Sequence, residues 1–298
     1  MTHTSHTHAH HYDSVRGSQN LDAAAAALAD AERVFVGAGA GLSAAAGYDY
    51  TDRDRFAELF PWLKKAGFNA RYELIGYPLP PRHQWGFWAV HVRDIRLGNE
   101  PSAIYQQLRI AVGERDHFVM SSNVDGLFAR NGFDPDLVFT PQGDYALYQC
   151  HSPCTREVWD ARPILERAYA TLDPQTGQID EDAVPTCPNC GGEVYLNINA
   201  GRFYIADHFA PTGRDLQAWL RNAQDTSAKV AVLDIGSGYN TPGVIRWPTE
   251  QITRALPNAT LIRINRDHPD VPADLTDRAF SLSGDAQAFI SHLTRTNH

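Results

Sequence analysis

The stretch from Val34 to Gly47 constrains the fold most, because a short apolar run there stops at alternating glycines and an alanine-rich segment follows. This pattern predicts a strand, a tight turn and a helix. Glycines at Gly37, Gly39 and Gly41 permit positive φ and bring backbone N–H groups close to a ligand, while a helix N-terminus favours negative charge. The stretch predicts a phosphate-bearing ligand. Its spacing departs from G-x-G-x-x-G, so a turn that merely connects two elements is the alternative.

Composition limits the class of protein. The chain has 298 residues, of which 43% are hydrophobic and 20% charged, with a formal net charge of −9. This length accommodates one large domain or a large and a small one. A basic cluster is missing, which argues against nucleic-acid binding, and no apolar run reaches the roughly 20 residues of a membrane span. Residues 1–18 are polar and rich in histidine, so we expect a disordered tail, no secretory signal and a cytoplasmic protein.

The cysteines form two close pairs, Cys150 with Cys154 and Cys187 with Cys190. The second pair lies in a C-P-x-C-G-G knuckle. Two such pairs predict one tetrahedral Zn²⁺ with four thiolate ligands, and free or redox-active thiols are the alternative. A closed shell of four sulfurs leaves no open coordination position, so the metal is expected to be structural.

Alternating apolar and amphipathic segments predict the secondary structure along the chain. We predict strands at residues 33–36, 117–120, 137–140, 229–235 and 260–264, and helices at 20–32, 85–97, 102–113, 162–172 and after about 285. This alternation predicts an α/β fold with a largely parallel sheet covered by helices on both faces. Polar residues follow the strands at 121–126 and 141–144, where ligands bind in such sheets.

Several segments, taken in order, resemble the sirtuin family of NAD-dependent enzymes. They are Gly39–Ser43 with Gly47, Ser122–Leu127, the two cysteine pairs, Gly236-Ser237, Ile264-Asn265 and Gly284–Ala286. The resemblance implies a Rossmann-like NAD-binding domain, here residues 19–145 and 206–298, and a small zinc-binding module, residues 146–205. NAD would lie between the two.

The resemblance also implies roles for individual residues. Ala38–Ser43 and Ser237 would face the NAD phosphates, Asn123 and Asp125 the nicotinamide and its ribose, and Asn265 with Gly284–Ala286 the adenosine. Asn123, Asp125 and Gln142 are the candidate catalytic residues. The candidate cofactor-binding residues are Gly37, Ala38, Gly39, Ala40, Gly41, Ser43, Gly47, Ser122, Asn123, Asp125, Gln142, Gly236, Ser237, Asn265, Asp285 and Ala286.

One departure from the family pattern bears on the reaction. Protein-deacylating sirtuins have histidine followed by glycine where this chain has Gln142-Gly143. An amide cannot accept a proton at neutral pH, so Gln142 cannot act as a general base. Together with Gly47-Tyr48-Asp49-Tyr50, this resembles the macrodomain-linked class M sirtuins, which are protein mono-ADP-ribosyltransferases. The implied partners are a lipoylated carrier protein of the glycine-cleavage type as acceptor and a macrodomain hydrolase.

The chemistry leaves three functions open. Gln142 can hydrogen-bond the ribose hydroxyls without deprotonating them, which suits direct attack by an acceptor nucleophile. A deacylase that uses another base, Asp144 or His151, is the second. The third is an NAD hydrolase, or a module that binds NAD or ADP-ribose without turnover.

Overall fold

The computed structural model describes residues 20–98 and 100–296, so the predicted N-terminal tail lies outside the described residues. The strands are β1 Arg33–Ala38, β2 Asp116–Ser121, β3 Val138–Phe139, β4 Gly143–Cys150, β5 Trp159–Asp160, β6 Val194–Ile198, β7 Val230–Ile235, β8 Ala259–Asn265 and β9 Ala279–Ser283. The first helix, α1, covers residues 20–29. The others are α2 Ala40–Ala45, α3 Arg53–Leu59, α4 Pro61–Lys65, α5 Pro81–Ile95, α6 Ala103–Val112, α7 Leu127–Arg130, α8 Arg162–Ala170, α9 Ala210–Asp225, α10 Arg246–Ala255 and α11 Ala286–Thr296.

The large sheet has six strands in the order β3-β2-β1-β7-β8-β9. Every pairing in it is parallel. This order is that of the doubly wound Rossmann sheet, whose ligand crevice opens where the strand order reverses. The reversal lies between β1 and β7, and the prediction of an α/β fold with a parallel sheet is confirmed.

Helices cover both faces of this sheet. On one face, α1, α6 and α11 bury residues such as Leu28, Leu108 and Ile290 against β1 and β8. On the other face, Leu216 of α9 and Leu256 beside α10 pack on β7 and β8. Because both faces are covered, β7 is buried at all six positions and reads as a continuous apolar run.

A smaller antiparallel sheet, in the order β5-β4-β6, carries the cysteine pairs. Helices α5 and α8 pack beside it, and its core includes Phe56, Phe87, Trp88 and Leu196. Most of the aromatic residues that follow the first glycine turn therefore serve as core, whereas Tyr72 and Tyr77 are exposed. The segment from Phe56 to Ile95 shares this core although it precedes residue 146, so the division of the chain at residues 145 and 205 stays a prediction.

Within the described residues, no helix is long and apolar enough to cross a membrane. The helix predicted at 20–32 ends at residue 29, and the one predicted at 85–97 begins earlier, at Pro81. Proline at a first helical position is favourable because its missing N–H has no intrahelical partner there.

Candidate active site

A cleft lies at the carboxyl ends of the large sheet's strands. It consists of two adjoining cavities, of about 430 Å³ on the side of β8 and β9 and about 660 Å³ on the side of β2. Residues lining both cavities are Gly41, Ala44, Asp49, Asn240 and Arg266. The cleft therefore spans the switch point, which is where Rossmann-type sheets bind ligands.

The glycines at the end of β1 and the start of α2 make close packing contacts. None of Gly37, Gly39 and Gly41 has positive φ. The backbone N–H of Gly39 donates to Ile235 O at 2.9 Å and that of Gly41 to Gly236 O at 3.1 Å, so neither points at a ligand. A Cβ on Gly39 would lie 2.5 Å from Gly236 O. Gly39 and Gly41 are required because the segments after β1 and β7 are in contact at the switch point.

Several predicted cofactor residues do not line the cleft. A Cβ on Gly37 would lie 2.7 Å from the Thr249 side chain, so this glycine makes room for α10. Ala38 is buried in β1, and Ser237 is 3% exposed. The residues of the predicted set that line neither cavity are Gly37, Ala38, Gly39, Gly47 and Ser237. Those that line one or both are Ala40, Gly41, Ser43, Ser122, Asn123, Asp125, Gln142, Gly236, Asn265, Asp285 and Ala286.

Asp125 forms part of the floor of the larger cavity and is only 3% exposed. Its Oδ1 accepts from the Leu127 N–H at 3.0 Å, which closes the turn that starts α7. Its Oδ2 accepts from the Ser43 hydroxyl at 2.5 Å. Burial raises the pKa of Asp125, and the bond from Ser43 opposes this rise. Ser43, predicted beside the phosphates, is thus bonded to the carboxylate.

Gly126, the residue after Asp125, packs against the side chain of Arg96. It has φ of 66°, and a Cβ there would lie 2.5 Å from the Arg96 guanidinium carbon. Arg96 crosses this position to reach Asp144, which it binds through two hydrogen bonds of 2.8 and 3.1 Å. Glycine is therefore required here both by conformation and by the arginine that packs on it.

Asn123 and Gln142 line the same cavity as Asp125. The Asn123 amide donates to Gly39 O at 3.0 Å, which ties the end of β2 to the first glycine turn. Gln142 is half-buried, and its backbone carbonyl accepts from Asn199 N–H at 2.9 Å, which fixes it beside β6. The structure therefore brings the three candidate catalytic residues together in one cavity.

Asn265 lines the smaller cavity, and its side chain is hydrogen-bonded to backbone groups of two loops. It donates to Ser237 O at 2.7 Å and accepts from the N–H groups of Asp267 and His268, each at 2.9 Å. Asn265 thus joins the loops after β7 and β8. The Tyr239 and His268 rings stand in edge contact, 5.0 Å apart, in the wall of this cavity.

A buried ion network supports the loop after β7. Asp234 and Arg263 are fully buried and bonded at 3.0 Å, and Arg263 also binds Glu250 at 2.9 Å. Burial raises the pKa of Asp234, and the Arg263 charge opposes this rise. Because Asp234 precedes Gly236 by two residues, this network holds the strand end that forms the cleft.

Asp144 and His151, the alternative general bases for deacylation, are not available in the cleft. Asp144 is paired with Arg96 and also accepts from the Ala146 N–H at 2.7 Å. His151 lies in a separate cavity near β6, with its ring 4.6 Å from that of Phe203. Among residues 20–98 and 100–296, no histidine lines the larger cavity.

Sequence reasoning missed some lining residues. Tyr50, Arg53 and Tyr72 line the larger cavity, and Arg266 lines both. Arg266 could have been found, since it directly follows the polar end of β8. Burial raises the pKa of Tyr50 well above its ordinary value, so this phenol stays protonated beside Asp125. No sequence pattern around Arg53 indicates that this residue lines the larger cavity.

The four cysteines lie together, with their sulfur atoms within 4.8 Å of one another, and could hold a metal ion. Cys150 Sγ and Cys190 Sγ are 3.7 Å apart, and Cys154 Sγ and Cys187 Sγ are 3.6 Å apart. A tetrahedral site with bonds of about 2.3 Å has edges of about 3.8 Å. The two predicted pairs therefore form one cluster of suitable geometry.

The sheet order and the cleft at its switch point define a doubly wound α/β protein, and a smaller module carries four cysteines that could hold a metal ion. Two solved Sir2 homologue mutants superpose on nearly the whole chain. One, in complex with 2'-O-acetyl ADP ribose, has a TM-score of 0.57 at 19% identity and covers 90% of this chain and 93% of its own. The other, in complex with ADP-ribose, has a TM-score of 0.56 at 18% identity and covers 91% and 94%. The chain has the Sir2, or sirtuin, fold.

Two curated relatives are similar in sequence, while no family model matches the chain. A probable bifunctional ADP-ribose hydrolase/ADP-ribosyltransferase of Fusarium oxysporum f. sp. cubense is 34% identical over 224 residues, 72% of this chain. A protein ADP-ribosyltransferase of Staphylococcus aureus is 27% identical over 252 residues, 82% of this chain. The chain spans 37% of the first relative and 78% of the second.

Proposed function

We propose that this protein is an NAD-dependent protein mono-ADP-ribosyltransferase of the sirtuin type. The observation that carries the proposal is Gln142 in a cavity that no histidine lines among the described residues. Deacylation through the ribose 2′-hydroxyl needs a base to activate it, and an amide supplies none. The names of the two relatives, both ADP-ribosyltransferases, support the same reaction.

In this reaction the bond between the nicotinamide nitrogen and ribose C1′ breaks, and nicotinamide leaves with the electron pair. Positive charge develops on the ribose, and the Asp125 carboxylate lies in the cavity that would hold it. An acceptor nucleophile then bonds to C1′ and releases its proton. Gln142 and Asn123 would hold the ribose by hydrogen bonds, with no proton removed from its hydroxyls.

NAD would lie along both cavities, with its adenosine beside Asp285 and Ala286 and its nicotinamide end beside Asp125. The residues that line neither cavity, Gly39 and Ser237 among them, would shape the site from behind. Arg53 and Arg266 supply positive charge at the wall of the larger cavity, which suits a pyrophosphate. The segments after β1 and β7 would therefore have two roles: they hold the strand ends together and they form part of the cleft wall.

We also propose zinc as the metal of the four-cysteine cluster. Four thiolates at these spacings are the donor set that Zn²⁺ prefers, and a closed shell gives it a structural role. Paired cysteines as metal ligands are typical of a reducing compartment, which supports a cytoplasmic location. The ion would join β4 to the knuckle at Cys187.

For the acceptor we propose a lipoylated carrier protein of the glycine-cleavage type, with a macrodomain hydrolase as the enzyme that reverses the modification. The test incubates the protein with labelled NAD and the carrier in lipoylated and unlipoylated forms, and measures the label on protein and the intact mass of the carrier. We expect label on the lipoylated form only. Nicotinamide release with label on neither carrier would reject this acceptor. With an acyl-lysine peptide added, removal of its acyl group while no label becomes protein-bound would reject the transferase itself.

A further inference from the structure

Two separate segments carry the candidate catalytic residues, and one arginine side chain connects them. Asp125 follows β2, whereas Gln142 directly precedes β4. Arg96, the residue after α5, donates to the two carboxylate oxygens of Asp144 at 2.8 and 3.1 Å. Its guanidinium lies on Gly126, where a Cβ would come within 2.5 Å of the guanidinium carbon. Arg96 therefore touches the residue after Asp125 and binds a residue close to Gln142 in the chain.

The backbone at Arg96 is itself held by the segment that follows β2. Arg130, the last residue of α7, donates from its guanidinium to Ile95 O at 3.1 Å. Helix α7 begins at Leu127, whose N–H is bonded to the Asp125 carboxylate. The end of α5 is thus bound to the same turn over which the Arg96 side chain passes.

The segment that carries Gln142 is held on two sides. On the side of β6, the Gln142 backbone carbonyl accepts from Asn199 N–H at 2.9 Å. On the side of the loop after β2, Tyr145 N–H donates to Val124 O at 3.0 Å, and Asp144 forms the ion pair with the arginine. Because both of these last contacts lie next to Gln142 in the chain, they set the distance from its amide to the groups that follow β2.

We propose that Arg96 is a positioning residue for the transfer reaction. Through its ion pair with Asp144 it holds Gln142 at the place where the amide meets the NAD ribose. Neither Arg96 nor Asp144 lines the larger cavity, so the pair acts through Gln142 and not on NAD itself. The inference deepens the proposed function and rests on it, because it explains how a side chain that exchanges no proton is placed against the ribose.

The chemistry of the two side chains suits this role. An amide acts only through directed hydrogen bonds, so what Gln142 contributes depends closely on its position. Two parallel bonds from a planar guanidinium to one carboxylate fix an orientation as well as a distance. Displacement of a group that orients a substrate by about 1 Å can cost about 100-fold in rate.

The variant Arg96→Met keeps an unbranched apolar stem and removes both hydrogen bonds. The matched control is Arg254→Met, because Arg254 binds Asp274 with a similar pair of bonds, at 2.7 and 3.1 Å, and lines neither cavity of the cleft. Nicotinamide release is measured in single turnovers with protein in excess over NAD, so that slow variants are still readable. We expect Arg96→Met to lower the maximal rate by about 10- to 100-fold while the half-saturating concentration changes by less than about threefold. Arg254→Met should leave both unchanged.

A comparison in a Gln142→Ala background separates positioning from a direct effect of the arginine charge on Asp125. Positioning through Gln142 predicts that Arg96→Met adds nothing once the amide is gone. A loss of the same size in both backgrounds, or an unchanged rate in Arg96→Met alone, would overturn the inference. Asp144→Asn is the second variant, since it keeps an oxygen that can accept from Ala146 N–H and removes the charge. It should show the same dependence on Gln142.

Hydrogen exchange of the backbone amides gives a readout that needs no turnover. We expect Arg96→Met to speed exchange in residues 142–146, where Tyr145 N–H and Ala146 N–H are bonded, and to leave exchange in α10 as in the wild type. Wild-type exchange at 142–146 would overturn the inference and leave the transferase standing. A wild-type protein that releases no nicotinamide would overturn the transferase, and the exchange measurement would still decide the role of Arg96.

Discussion

The contact between the two loops at the switch point gives a sharp test of how the cleft is built. In the variant Gly41→Ala, the new methyl carbon would lie 2.7 Å from Gly236 Cα and 3.1 Å from Gly236 O. Carbon atoms pack at roughly 3.5–4.0 Å, so the loops must separate by about 1 Å. Overpacking of this kind costs about 1–3 kcal/mol of unfolding free energy. For a protein of this size we expect Tm to fall by about 2–12 °C.

The matched control is Gly238→Ala. Gly238 lines the same smaller cavity, and a Cβ there would meet nothing within 4 Å. Each variant adds one methyl group beside the smaller cavity, Gly41→Ala in the first turn of α2 and Gly238→Ala in the loop after β7. Helix propensity favours alanine at position 41, so a lower Tm for Gly41→Ala in differential scanning calorimetry can only come from the contact with Gly236. A Gly41→Ala protein as stable as the Gly238→Ala protein would refute the close approach of the two loops.

Three further predictions concern buried charge and metal. Arg263→Leu should lower the unfolding free energy by about 3–5 kcal/mol in urea titrations, because it leaves the buried Asp234 carboxylate without its cation. Asp125→Asn should raise Tm at neutral pH, since the raised pKa of this carboxyl means that its ionised form destabilises the native state above that pKa. The gain should disappear as the pH falls toward the unfolded value of about 4, and a gain that is constant with pH would contradict the pKa assignment. Removal of metal from the four-cysteine cluster by a chelator should lower Tm and release one Zn²⁺ per chain in elemental analysis, and an unchanged Tm would argue against a structural metal.

The strands of the large sheet could be predicted where burial on both faces leaves an unbroken apolar run. β7 is the best example, because all six of its residues are buried. β9 was missed because only Leu282 of its five residues is buried. It is an edge strand of the large sheet, and such a strand does not need a continuous apolar run. Helix α9 was missed for a similar reason, because only Leu216 and Ala223 of its sixteen residues are buried.

The small sheet was missed because polar residues occupy its interior. Gln149 of β4 and Asn197 of β6 are fully buried and bonded to each other at 2.7 Å. Gln149 also donates to Phe203 O at 2.6 Å. Ile205 adds two more bonds, its O accepting from the Asn197 amide at 2.9 Å and its N–H donating to Gln149 Oε1 at 3.0 Å, so the partners come from separate parts of the chain. No periodic pattern indicates them in advance.

The sequence alone does not show the packing contacts that the glycines after β1 make. A local pattern suggests a free loop around a ligand, whereas the real constraint on Gly41 is Gly236, almost two hundred residues away.

The most direct test of the account is a single reaction that contains the protein, NAD, the lipoylated carrier and an acetyl-lysine peptide. Nicotinamide, carrier-bound ADP-ribose and deacetylated peptide are measured together by mass spectrometry. Since Gln142 cannot deprotonate the ribose, we predict one ADP-ribose bound to carrier for each nicotinamide released and an intact peptide. Deacetylated peptide in proportion to nicotinamide, with unmodified carrier, would contradict the account.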